Sequence, residues 1–560
     1  MRREVSVVNK KVCSFPILFA LLTLLIGTCA VVFPASAQAA PASTGSITVS
    51  GTVASSYDAY QIFSANVVDG DKDAKIATDL AWASDDVRDA AMPVLHSAGM
   101  PKSQTTAQEA AEWLNADSHL TSALSAQLAR SLQSSGAVSV ALNAGTTAEL
   151  PCGYWLIVAD DDAIAQDQAG TAPIMALVGG SAVTVKPKAA TPKVAKRVLE
   201  DGTAAWQKAA DATVGDDLYW RLSATVPAGL SAYDTYTVQF VDTMGAGLDP
   251  SRVAASMRVY VAAGAGGGFD AVACEGGNAS STPAKGWTDI TSQCNVSVEG
   301  NAFTVRTGDL IAALGGADAF TAGARVVAVY NAPLEANCNR GATKGNPNEV
   351  YLRYPRSPFA DQSGDAGFTR TPSDDACAYT WDLALTKRGS DGDKPLAGAV
   401  LSIADDRGRT LAADGAWDAE GKATVTTGED GRVTVSGVDS GKLEVRELKA
   451  PKGYAAFEGT RSVTVKAEGL DVDQVAAAKP KLTITAESPL RADSADGSTG
   501  SLEASLINTP TGTPPSITTG GFMPSTGDMA MYAAAAAAVA GAALIVVALL
   551  VKRGGGSHKE

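Results

Sequence analysis

Three stretches of period-two alternation each end in a polar residue where the pattern calls for an apolar one. Trp381, Leu383, Leu385 and Lys387 share one strand face, Leu443, Val445 and Glu447 a second, and Leu502, Ala504, Leu506 and Asn508 a third. Such faces must pack against one another, so the segment predicts a β-sandwich. A lysine, a glutamate and an asparagine buried singly would each cost free energy. Buried together they form a salt-bridged core, or they react. An amine made neutral by burial is a nucleophile, and a carboxamide is an electrophile for it.

The same alternation recurs upstream. Val194, Lys196 and Val198 share a face, as do Tyr236, Val238, Phe240 and Asp242. A lysine and an aspartate thus point to an apolar side, where burial favours a neutral amine and a protonated acid. Asn348 shares a face with Val350 and Leu352, and Asn331 with Val327 and Val329. Either carboxamide could meet Lys196, and Asn348 is preferred. Without reaction, Lys196 and Asp242 remain a buried ion pair.

The N-terminal stretch reads differently. Ile47, Val49 and Val53, then Tyr57, Tyr60, Ile62 and Phe63, predict strands. Residues 85–132 predict helices, with a capping-box signature at Thr106-Ala107-Gln108-Glu109 and one apolar face from Leu120, Leu124, Leu128 and Leu132. Strands return at Val138–Leu142 and Tyr154–Val158. Asp69-Gly70-Asp71-Lys72-Asp73 lacks the glycine and glutamate of a calcium loop and reads as a solvated turn. Gly264 to Gly268 precedes no helical pattern, so it reads as a hairpin loop and not a phosphate cradle.

The two ends place the chain outside the cell. Residues 1–40 have a basic start, an apolar core from Ile17 to Ile26 and small residues at Ala35-Ser36-Ala37, the pattern of a signal peptide. Near the other end Met523-Pro524-Ser525-Thr526-Gly527 precedes an apolar run from Met529 to Val551, then Lys552 and Arg553. A helix of ~20 apolar residues spans a bilayer, and the basic pair marks the cytoplasmic side. The formal charge of −15 argues against nucleic acid as a partner. Outside the membrane disulfides are permitted. Spacing predicts pairs Cys274–Cys294 and Cys338–Cys377, with Cys152 left over. No C-x-x-C pair is present, so no zinc or other metal site is expected.

The terminal arrangement resembles a Gram-positive sortase substrate, with Met523 in place of the family's leucine. That resemblance implies cleavage between Thr526 and Gly527 and transfer of Thr526 to an amine. Val183-Thr184-Val185-Lys186-Pro187-Lys188 resembles the pilin motif at the junction of backbone pilins, with Lys186 for the family's tyrosine and Ala189 for its asparagine. It implies that the Lys188 amine accepts the next subunit's Thr526. Residues 190–378 resemble a fimbrial isopeptide-forming middle domain, through Lys196, Gly215-Asp216, Tyr236 to Gly247 and Tyr330-Asn331-Ala332. The family closes this domain with Tyr-Ser-Asn, where this chain has Tyr354-Pro355-Arg356. Residues 380–510 resemble a prealbumin-like, collagen-adhesin B-type domain, whose E-box is here Glu447-Leu448-Lys449-Ala450-Pro451-Lys452-Gly453-Tyr454. Carried over, Lys387 is the nucleophile, Asn508 the electrophile and Glu447 the proton shuttle; in the middle domain Lys196, Asn348 and Asp242 take those parts.

The expected fold is mainly β: tandem sandwich domains, the first with added helices, and a C-terminal transmembrane helix. The expected divisions are 1–40, 41–188, 189–378, 379–510 and 511–560. The expected function is a shaft subunit of a covalent pilus on the cell wall. Its partners would be a sortase, neighbouring subunits, peptidoglycan and a host surface ligand, with the membrane only before sorting and no cofactor. A singly anchored adhesin is the alternative. A secreted enzyme finds no support in an H-E-x-x-H, G-x-S-x-G or Walker pattern.

Overall fold

The computed structural model describes residues 43–116, 119–188, 191–264 and 285–512, with two short strands, Cys274–Glu275 and Asn278–Ala279, between the last two segments. The expected signal peptide, most of the Gly264–Gly268 loop, the sorting pentapeptide with Thr526 and Gly527, and the apolar run after it lie outside these residues. Among the described residues no helix is long and apolar enough to cross a membrane.

The first sheet system comprises β1 (Thr44–Val49), β2 (Ser56–Asp69), β3 (Lys75–Trp82), β4 (Val140–Asn143), β5 (Thr147–Pro151), β6 (Gly153–Ala159), β7 (Ile174–Val178) and β8 (Val183–Val185). Between β3 and β4 run α1 (Asp85–Ser97), α2 (Ala107–Asn115) and α3 (Ser122–Ser135). One sheet has the order β5-β1-β8 and the other β3-β2-β6-β7, with β4 on β2. The capping box forms: Thr106 Oγ1 accepts from the Glu109 amide, and the Glu109 carboxylate accepts from the Thr106 amide. Helix α3 begins after Leu120 because Thr121 caps it, accepting from the Leu124 amide. Its buried leucines are Leu124, Leu128 and Leu132. The Asp69–Asp73 stretch is a turn, with the Asp69 carboxylate accepting from the Ser181 amide at 2.9 Å.

The second system is a two-sheet sandwich. It uses β9 (Val194–Glu200), β10 (Tyr219–Thr225), β11 (Gln239–Met244), β12 (Arg258–Ala262), β13 (Ala302–Arg306), β14 (Arg325–Asn331), β15 (Asn346–Pro355) and β16 (Asp374–Tyr379). One sheet runs β9-β10-β14-β12 and the facing one β16-β15-β11-β13, each with short edge strands. Trp220, Phe240, Val259, Val305, Tyr330 and Leu352 fill the space between them.

The third system uses β17 (Trp381–Gly389), β18 (Val400–Ala404), β19 (Arg432–Val438), β20 (Gly441–Lys449), β21 (Thr460–Glu468), β22 (Lys481–Ala486), β23 (Leu490–Asp496) and β24 (Ser501–Asn508). Its sheets run β19-β17-β24-β23 and β18-β20-β21-β22. The first and last strands, β17 and β24, lie side by side and parallel, with Lys387 opposite Leu506 and Gly389 opposite Asn508.

The systems interlock. Arg130 of α3 pairs with Asp234 at 3.2 Å and donates to the carbonyls of Ala232 and Pro358. Strand β16 runs across the second junction: its Ala376 and Ala378 pack in the middle core, while Cys377 and Tyr379 pack in the third. Gly341 and Gly500 approach so closely there, each at positive φ, that a Cβ on either would collide with the other's backbone.

The predicted disulfides are not made: Cys152, Cys294, Cys338 and Cys377 are free thiols. Cys338 belongs to the middle core, with its sulfur accepting from Arg340 at 2.7 Å, whereas Cys377 belongs to the third core. Cys294 Sγ donates to the Ile290 carbonyl at 3.3 Å, and the side chain of Cys274 lies outside the described residues.

Candidate isopeptide centres

At the C-terminal centre, the three apolar columns converge. Lys387 comes from β17, Asn508 from β24 beside it, and Glu447 from β20 in the facing sheet. All three are buried, Lys387 completely. Lys387 Nζ rests against Asn508 Oδ1, and donates to the Leu506 carbonyl at 3.3 Å. Asn508 Nδ2 donates to both oxygens of Glu447, at 2.9 and 3.0 Å. Glu447 Oε1 also lies 3.3 Å from the amine, and Glu447 Oε2 is held by the Phe457 amide at 3.1 Å. Burial draws the Lys387 amine down to about 8, against the opposing pull of Glu447. This centre thus holds a weakened ammonium on a carboxamide whose nitrogen already faces a carboxylate. The E-box tail closes over one end, where Tyr454 donates to Asp391 at 2.8 Å.

In the middle sandwich, Lys196 of β9 faces Asp242 of β11 and Asn348 of β15, all three fully buried. Asp242 stands opposite Val350 and Met244 opposite Asn348, so Asp242 and Asn348 are diagonal neighbours on adjacent strands. Lys196 Nζ contacts Asp242 Oδ2. Burial draws the amine down to about 8 and pushes the Asp242 carboxyl up, each opposed by the other's charge. Asp242 Oδ1 and Asn348 Oδ1 are buried without a hydrogen-bond partner.

Sequence reasoning missed one member of this cluster. Tyr330 of β14 puts its hydroxyl at the centre: Lys196 Nζ and Asn348 Nδ2 each donate to it at 2.9 Å, and it donates to Asp242 Oδ2 at 3.2 Å. Asn331, the other carboxamide considered, is held elsewhere. Its Oδ1 accepts from the Leu218 amide at 3.0 Å and its Nδ2 donates to Asp217 at 2.7 Å. Arg356, which stands at the family's closing asparagine, donates to the Asp161 carbonyl of the first system.

A third group was also not foreseen. Glu200, Asp211 and Asp439 bring carboxylate oxygens within 4.8 Å of one another where the second and third systems meet. Asp211 Oδ2 accepts from Trp381 Nε1 at 2.6 Å and from the Ser440 amide at 2.9 Å. Burial, then the charge of Asp211, pushes Glu200 up to about 8, and burial raises Asp439 well above the carboxylate range.

Lys188 is exposed, three residues past the end of β8, in the connector to β9. Strand β8 is tied in parallel to β1, and Pro187 packs by Gly51. The amine therefore stands on an anchored base.

Residues 382–479 match the family model of the SpaA prealbumin-like fold domain. The trypsin-resistant surface T6 protein of Streptococcus pyogenes serotype M6 is 30% identical over 129 residues, 22% of this chain. The matched stretch spans 22% of that relative's length. Among solved structures, the T6 backbone pilin of serotype M6 Streptococcus pyogenes aligns with 84% of this chain and 98% of its own, at 17% identity and a TM-score of 0.45. The full-length major pilin SpaD from Corynebacterium diphtheriae aligns over the same shares at 16% identity and a TM-score of 0.41.

Proposed function

We propose, from the match of residues 382–479 to the SpaA prealbumin-like domain model, that this chain is the shaft subunit of a covalently polymerised pilus on a Gram-positive cell wall. The observation that carries the reading is the C-terminal centre: Lys387 against Asn508, with Glu447 on the amide nitrogen. A subunit pulled from both ends in a single-file fibre gains from a covalent tie there; a singly attached adhesin would share that tie, and use of the Lys188 amine separates the two.

Within the subunit, the neutral Lys387 amine adds to Asn508 Cγ. The Nζ–Cγ bond forms and the Cγ–Nδ2 bond breaks. One proton passes from Nζ through Glu447 to Nδ2, and ammonia leaves. The centre reacts once, so this is self-modification and not turnover. The middle cluster would form the same kind of bond between Lys196 and Asn348, beside the buried Asp242.

Between subunits, a sortase cleaves Thr526–Gly527 and holds Thr526 as a thioester. The Lys188 amine of the next copy displaces the enzyme. Exposure of Lys188 on an anchored strand end supports its part as acceptor. The last subunit is passed to peptidoglycan.

Lys188→Ala, read by blotting wall extracts with antibody to the subunit, tests the shaft reading. Loss of the high-mass ladder with normal export is expected. An unchanged ladder would move the chain to the singly attached adhesins.

A further inference from the structure

The geometry points to Tyr330 as a catalytic residue of the middle-domain cross-link, relaying the proton that must travel from the Lys196 amine to the departing nitrogen of Asn348. The inference rests on the proposed bond between those two residues.

Amide formation from an amine and a carboxamide leaves one proton to be moved. The attacking nitrogen must lose it and the leaving nitrogen must gain it, or ammonia cannot depart. In the C-terminal centre a single carboxylate reaches both nitrogens, since Glu447 lies 3.3 Å from Lys387 Nζ and 2.9 Å from Asn508 Nδ2. In the middle sandwich the acid is placed differently. Asp242 contacts the amine, but the group in contact with Asn348 Nδ2 is the Tyr330 hydroxyl. That hydroxyl is 2.9 Å from Lys196 Nζ and 2.9 Å from Asn348 Nδ2. It is the atom that joins the two nitrogens.

The step balances as follows. The Lys196 ammonium first gives a proton to Asp242, leaving a neutral amine and a neutral acid. Nζ adds to Asn348 Cγ, and the planar amide nitrogen becomes a tetrahedral amine with a free lone pair. The Tyr330 hydroxyl hydrogen turns from Asp242 to that lone pair while its oxygen takes a proton from Nζ. The Cγ–Nδ2 bond breaks and ammonia leaves, with Tyr330 restored and Asp242 keeping the proton it took from the ammonium. Burial raises the Tyr330 hydroxyl well above its ordinary value, so it stays protonated between these exchanges. Its ring is held edge-on to Phe303, centroids 4.7 Å apart, which fixes the hydroxyl without using it.

The test is Tyr330→Phe in the full-length chain made by cell-free synthesis. Samples are acid-quenched at intervals, digested, and scored for the Lys196–Asn348 and Lys387–Asn508 linked peptides. The middle bond is expected to form ~100-fold more slowly, with the C-terminal bond at the normal rate. Equal middle-bond rates in variant and parent would overturn the role of Tyr330. Absence of the middle bond from the parent itself would overturn the underlying cross-link, and with it this inference. If the phenylalanine chain also loses the C-terminal bond through misfolding, a ring-fluorinated tyrosine at position 330 decides. Its shape is retained and its hydroxyl is more acidic, so the middle-bond rate must change severalfold; an unchanged rate overturns the relay.

Discussion

Asn508 Nδ2 donates to both oxygens of Glu447, at 2.9 and 3.0 Å, while Lys387 Nζ rests on the other side of the same carboxamide. The amide is thereby gripped at its nitrogen and touched by the lysine amine at once. For the proposed reaction, such prepositioning would replace an encounter in solution with a step inside one core.

The first expectation concerns mass and stability. The native protein should weigh less than its residues by one ammonia for each bond, and Lys387→Ala or Asn508→Ala should restore one of them. The proposed bond would close a loop between residues 121 positions apart. By analogy with a disulfide over such a loop, Asn508→Ala should lower unfolding free energy by about 5 kcal/mol. Intact mass and denaturant titration measure the two effects.

Glu447→Gln should leave the sandwich folded and Asn508 intact but unreacted. The glutamine still fills the space and still meets the Phe457 amide. It has no proton to exchange. Peptide mapping should then find Lys387 and Asn508 on separate peptides; a linked peptide in this variant would remove Glu447 from the chemistry.

The rate of the C-terminal reaction should depend on pH with a set sign. Burial brings Lys387 down to about 8, and only the neutral amine attacks. Closure should therefore slow as pH falls below about 8 and level off above it. Newly synthesised chain, shifted to a series of pH values and quenched, measures this directly.

The carboxyl cluster between the second and third systems makes a separate prediction. Glu200 is raised from 4.5 to about 8 in the folded state, so the folded chain binds a proton the unfolded one has released. Its contribution is full below about 4.5 and is lost as pH rises towards about 8. Glu200→Gln should flatten the fall of stability across that window, as followed by thermal unfolding at each pH.

The thiols offer a simple check on the corrected disulfides. Cys152, Cys338 and Cys377 are free and buried. They should resist alkylation in the native protein and react without prior reductant once it is unfolded. Migration on a denaturing gel should not change with reductant.

The C-terminal centre was legible because a lysine, a glutamate or an asparagine at the end of an apolar column violates the pattern around it. No register had to be known. Tyr330 was not legible for the opposite reason: Val326, Ala328 and Tyr330 form an apolar column that suits a tyrosine, so nothing marks the hydroxyl. Only the facing of β14 with β11 and β15 reveals it. Asn331 and Asn348 looked alike along their strands, yet Asn331 ends its strand beside Asp217 while Asn348 lies in the sandwich. Glu200, Asp211 and Asp439 are joined by packing between systems, which local periodicity cannot see. The β architecture and the helical insertion between β3 and β4 followed from periods of two and about 3.6. The cysteine pairs failed because separation along a chain says little about separation across a junction.

Strands β17 and β24 are neighbours although one opens the third system and the other closes it. A pull on the two ends of this unit would enter at Trp381 and leave beyond Asn508. Under the proposed amide, tension would cross from Lys387 to Asn508 through covalent bonds alone. The residues between them would then hang outside the line of force, and in the proposed filament this unit could be dragged upon without lengthening.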